Sequence, residues 1–132
     1  MVLENEMRIF KTKWFARYAR HEQITDASLR EAIARAERGL IDADLGGGLI
    51  KQRVARQGGG RSGGYRVIVA YLAGNRAFFL LGFAKSGQDN IDEDEIAALK
   101  KFGKRLLTAD APTIHAMLED GSLQEAHNGK EE

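Results

Sequence analysis

The apolar positions change period along the chain, and each change marks an element. Met7 to Thr12 alternates, with Ile9 and Phe10 as its apolar members, and predicts a short strand. Trp14, Phe15, Tyr18 and Ala19 then fall at helical spacing, with Lys13, Arg17 and Arg20 on the other side, which predicts an amphipathic helix ending near His21. Thr25 or Asp26 can cap a second helix, whose Leu29, Ile33, Ala36 and Leu40 recur at intervals of four, three and four before Gly39 closes it. The two helices make a hairpin, and their stripes read as core rather than cofactor contacts.

Asp42 to Gly48 reads as a turn-rich connection. Leu49 to Arg56 returns to period two, with Ile50 and Val54 on one face and Lys51, Arg53 and Ala55 on the other. Tyr65 to Leu72 forms the next strand, Gly74-Asn75 a tight turn, and Arg76 to Phe83 an almost continuous apolar strand of the kind found at the centre of a sheet covered on both faces. Asp92 opens a third helix with Glu95 in the capping-box position and Ile96, Leu99, Phe102 and Leu106 as its stripe. Gly103 inside it costs about 1 kcal/mol relative to Ala and predicts a weak or kinked last turn. After Thr108 the pattern thins: Ile114, Met117 and Leu118 allow a further turn or two after Pro112, and the last dozen residues are expected to lack structure.

The order is strand, helix, helix, three strands, helix. It predicts a small α+β domain with a mainly antiparallel sheet, the helices on one face and a basic groove on the other. Residues 1–6 read as a flexible leader, 7–107 as the domain, and 108–132 as an acidic, partly disordered appendage.

Composition sharpens this picture without changing it. At 132 residues, 43% apolar and 30% charged, the chain suits one domain with one core. The absence of cysteine rules out disulfides and thiolate chemistry, and a reducing cytoplasm is the expected setting. No apolar run approaches a membrane span or a signal-peptide core. The net charge of +1 conceals an asymmetry: residues 1–85 hold 15 Lys/Arg against 8 Asp/Glu, and residues 86–132 hold 5 against 11. Leu45 to Gln88 contains Lys51, Arg53, Arg56, Arg61, Arg66, Arg76 and Lys85 and no acid, so cations without local counter-charge point to an anionic partner.

The glycine-dense loop Gly58 to Gly64 formally matches G-x-G-x-x-G, but a strand follows it where a dinucleotide site requires a helix. No Walker loop is present. Two readings stay open, amides that approach a phosphate or a mobile hairpin connection. Arg66 likewise has two, a phosphate contact or a pair with a helix carboxylate such as Glu37. Tyr65 and Tyr71 share a face with Val67 and Val69 and read as packing. Arg76 reads as a solvated charge, and His21, His115 and His127 lie outside the groove.

Phe10 to Phe15, Gly39 to Lys51, Gly63-Gly64-Tyr65-Arg66 and Gly82-Phe83-Ala84-Lys85, taken as a block, resemble the RelE/ParE superfamily of type II toxin–antitoxin toxins. More narrowly, they resemble its RelE-type addiction-module killer proteins, over about residues 7 to 107. The resemblance implies a toxin that enters the ribosome and cuts mRNA, or, in a second branch, one that poisons DNA gyrase without cleaving RNA. A family member without activity that only binds its antitoxin is a third case. The implied partners are a cognate antitoxin, mRNA and the ribosome, with operator DNA reached only through the antitoxin and no membrane. No metal or other cofactor is expected, because cleavage of this kind rests on in-line geometry and placed charge.

By position, Lys51 and Arg53 match the family's basic pair on the second strand, Arg66 its phosphate-stabilising arginine, and Lys85 the basic residue after the last strand. Arg56 and Arg61 are the expected auxiliary RNA contacts. Lys51 is the candidate general base. Many mRNA-cleaving relatives place a Tyr or His just beyond the last basic residue; this chain has Ser86-Gly87-Gln88-Asp89-Asn90-Ile91, with Asp89 as the available substitute.

Overall fold

Alternation puts Ile9 and Phe10 on opposite sides of the first strand, β1 (Arg8–Thr12), and that division runs through the entire sheet. The structure is a computed structural model and describes residues 7–56, 60–84 and 91–127, with the backbone alone for residue 56 and residues 60–63. After β1 come α1 (Lys13–Glu22), α2 (Asp26–Glu37), β2 (Ala43–Gly46), β3 (Leu49–Arg56), β4 (Gly60–Leu72), β5 (Arg76–Ala84), α3 (Glu93–Leu107), α4 (Ala111–Glu119) and β6 (Leu123–Glu125). The strands form one sheet in the order β2-β3-β4-β5-β1-β6. Every neighbouring pair is antiparallel except β1 with β5, so the α+β, mainly antiparallel expectation holds.

The helices do not share one face. Ile9, Ile50, Val54, Val67, Val69 and Phe79 pack with Phe15, Ala19, Leu29 and Ile33 of α1 and α2. Phe10, Leu49, Ile68, Ala70, Phe78 and Leu80 pack on the other side with Leu106 of α3 and Ile114 of α4. The sheet is therefore a middle layer. The reason lies in β4 and β5, whose two alternating sets are both apolar, so that leaving either side open would expose a row of Phe, Leu and Ile. A bulge between Ile68 and Val69 turns Leu80 and Leu81 to the same side, the α3 side.

Local chemistry explains the helix ends. Thr12 Oγ1 accepts from Phe15 N–H and caps α1, and Thr25 Oγ1 accepts from Ser28 N–H and caps α2. Asp92 and Glu95 form the expected capping box of α3. Gly103 does not weaken that helix, which continues to Leu107; a Cβ there would lie 3.2 Å from Ala70 Cβ and from Leu49 Cδ2. The glycine lets α3 lie close against the sheet. Between Asp42 and Gly48 the turn-rich connection contains β2, which pairs with β3.

The segment after Thr108 is part of the domain rather than an appendage. Asp110 caps α4, and β6 adds to the sheet beside β1 with Leu123 fully buried. Arg8 grips Glu125 through two hydrogen bonds of 2.8 and 2.9 Å, and Asp26 accepts from His127 N–H at 3.3 Å. The leader 1–6 and residues 128–132 lie outside the described residues.

Candidate nucleic-acid interface

Position parity on β3 and β4 assembles a cationic patch. Ile50, Gln52 and Val54 take the α1/α2 side, which leaves Lys51 and Arg53 on the α3 side with Leu49. On β4, Tyr65 and Val67 take the first side and Arg66 and Ile68 the second. Register then brings the cations together: Arg53 pairs directly with Arg66, and Lys51 pairs with Ile68 one step along. Directly opposed residues on one face have Cβ atoms about 5 Å apart and diagonal ones about 7–8 Å, so Arg66 has Arg53 as an immediate neighbour and Lys51 as a diagonal one. Phe83 flanks Arg66 on its other side.

Two like charges opposed across a ladder are unfavourable on their own. Asp42 offsets one of them. Its carboxylate accepts the backbone N–H of Arg53 at 2.8 Å and meets Nε and Nη2 of that guanidinium at 3.4 Å. The counter-charge for Arg53 thus comes from just outside the acid-free stretch. For Arg66 and Lys51, both half-buried, no hydrogen bond or ion pair exists among the described residues. Nε of Arg66 is fully buried and bonds no described residue, which is costly for a charged donor.

The alternative reading of Arg66 is removed by geometry. Glu37 sits at the other end and on the other side of the sheet, where it accepts from Tyr71 Oη and, at 3.0 Å, from Gly74 N–H. Burial and then the Glu37 contact push the Tyr71 phenol above its ordinary range. Burial, followed by Glu22 and Tyr65, does the same for Tyr18. Both phenols remain protonated near neutrality and are not bases.

Of the other expected site residues, Arg56 ends β3 and Arg61 lies in β4, and only their backbones are described. Lys85 and Asp89 lie outside the described residues. The strand-to-strand context of the glycine-rich stretch is confirmed by the pairing of β3 with β4, which excludes the dinucleotide motif. His21 and His115 are solvent-exposed on α1 and α4. Among the described residues no group of three or more His, Asp or Glu is arranged to hold a metal ion.

Several supporting residues were missed by pattern. Arg76 is no solvated charge: its Nη1 donates to the carbonyls of Ala109 at 2.8 Å and Leu106 at 3.3 Å, closing the C-terminus of α3. Gln52 is fully buried and ties β3 to α2 and to the segment after it, donating to Ala32 O and Leu40 O and accepting from Asp42 N–H at 2.8 Å. That last bond positions the carboxylate that holds Arg53. Arg35, also buried, donates to the Arg53 carbonyl and is held by Glu31 at 3.0 Å. A polar residue on the apolar side of a periodic strand is the one sequence signal that marks Gln52.

Fold and site together define a small three-layer α+β protein that displays cations on one face of an antiparallel sheet. The chain belongs to the RelE toxin family: the family described as "RelE toxin of RelE / RelB toxin-antitoxin system" matches residues 7–126. It is therefore the toxin of a toxin–antitoxin module, with an antitoxin as its partner. The match extends through α4 and β6, so the segment beyond residue 107 lies within the family domain. No curated protein matches the chain.

Proposed function

We propose that this toxin is a ribosome-dependent mRNA endoribonuclease acting in the cytoplasm, and that the cationic face around Arg66 holds the scissile phosphate. One observation carries the reading: a half-buried guanidinium that bonds no other described residue, opposed by a second guanidinium. A phosphate is the group whose oxygens suit two adjacent planar donors. In the reaction the 2′-oxygen attacks the adjacent phosphorus and forms the O2′–P bond, its proton passing to a base. The P–O5′ bond then breaks, and the departing oxygen takes a proton. Arg66 and Arg53 stabilise the charge that grows on the non-bridging oxygens, Lys51 is our candidate for the first proton transfer, and Lys85 is our candidate for the second.

Growth arrest tests the assignment. Induced Arg66→Ala and Lys51→Ala proteins, folded as judged by circular dichroism, should no longer arrest growth, while wild type does so and leaves gyrase supercoiling activity intact. Arrest that survives both substitutions and is accompanied by inhibited gyrase would replace the nuclease with a gyrase inhibitor.

A further inference from the structure

The outward face of α1 is basic and aromatic throughout. Phe15, Ala16 and Ala19 are buried, and turning the helix at 100° per residue leaves Arg20, Lys13, Arg17 and His21 side by side on the opposite arc, followed by Trp14 and Tyr18. Neighbours three and four apart lie about 5–6 Å from one another, so the cations form a continuous row. The side chains of Arg17 and Arg20 make no hydrogen bond or ion pair among the described residues. Asp120 approaches Lys13, and Glu22, the helix's one acid, bonds His21 and Tyr65.

Trp14 is 47% exposed and stacks on Tyr18, with ring centroids 5.3 Å apart and planes 13° from parallel. A large ring left half in water is an unspent apolar surface, and here its neighbour holds it in a fixed plane. Tyr18 packs against the position of Gly82 and edge-on to Tyr65 on the α1/α2 side of the sheet, whereas Arg66 and Phe83 take the α3 side. Trp14, at the start of the helix, borders a groove with Leu80, Leu99 and Phe102 on that second side.

We infer that α1 is a second RNA-contacting surface: Trp14 receives a base by stacking, and Lys13, Arg17 and Arg20 contact successive phosphates. Cations beside an exposed, pre-oriented ring are the pattern that binds single-stranded nucleic acid without reading sequence. An acidic protein segment is the competing occupant, and it is one outcome of the test. The inference rests on the RNA reading of the Arg66 site, and the test separates the two.

The probe is a short fluorescent oligouridylate, followed by anisotropy, together with the emission of Trp14, the single tryptophan of the chain. Wild-type emission should be quenched on binding. Trp14→Ala should weaken binding about tenfold and Trp14→Phe much less, as expected for loss of one stacked base. Arg17→Ala with Arg20→Ala should lower the slope of log affinity against log salt by about 0.7 for each cation removed. Unquenched Trp14, α1 variants that bind like wild type, or equal affinity for duplex RNA would each overturn the inference. Loss of antitoxin binding alone would assign the face to that protein instead. Arg66→Ala, assayed in parallel for cleavage, reports on the first site independently: loss of cleavage beside unaltered α1 variants would leave the nuclease standing and remove only the second surface.

Discussion

Arg66 and Gln52 show how differently one residue can matter. Arg66 is placed by strand parity, and its unpaired Nε gives nothing to the fold among the described residues. Arg66→Ala should therefore retain stability within about 1 kcal/mol while lowering cleavage about 10²- to 10³-fold, the usual cost of removing one preorganised charge-stabilising donor. Urea titration beside a cleavage assay separates the two effects. Gln52 is the reverse case. Gln52→Leu removes the bonds to the carbonyls of Ala32 and Leu40 and leaves the N–H of Asp42 without its acceptor, which should cost about 2–4 kcal/mol in the same titration. Loss of the Asp42 bond should also loosen Arg53. The sequence displayed Lys51, Arg53 and Arg66 because period two assigns faces directly. It did not display the Asp42–Arg53 contact or the Arg76 cap, which depend on register and on where a helix comes to rest.

At the level of elements, the apolar run of β5 implies cover on both sides, yet the expectation of all helices on one face puts α3 beside the α1–α2 hairpin. A stripe shows that a helix packs, not against which face. Gly103 misled for a related reason: its helix-propensity cost is local, whereas the close approach to Ala70 and Leu49 that requires it is tertiary. The C-terminal elements were hidden by their brevity, since the three residues of β6 carry too little alternation to register as a strand. Leu123→Ala should cost about 2–5 kcal/mol, measured by chemical denaturation, because the side chain is buried between layers and its site has little room to collapse. The cap of α4 adds a pH dependence. Hydrogen bonds from Thr113 hold the Asp110 carboxyl below its ordinary 3.8, so its contribution is complete above that value and is lost as pH falls through the lower folded one. Asp110→Asn should flatten the fall in denaturation midpoint over that acidic window.

The whole molecule is a sheet with two distinct sides put to different uses. The α1/α2 layer covers one side, and the side covered by α3 and α4 carries Lys51, Arg53 and Arg66 on adjacent strands. A body with 15 Lys/Arg against 8 Asp/Glu through residue 85 should attract RNA and an acidic antitoxin segment alike, and both associations should weaken steeply with salt. Competition between them is the simplest way for the antitoxin to silence the toxin. We propose that the charge on this face cuts message on the ribosome. Primer-extension mapping of a reporter mRNA in a translating extract tests it most directly, comparing wild type with Arg66→Ala. Cuts should appear at defined positions within codons and should vanish in the variant and when translation is blocked. An intact message in the presence of folded, growth-arresting wild-type protein would contradict it.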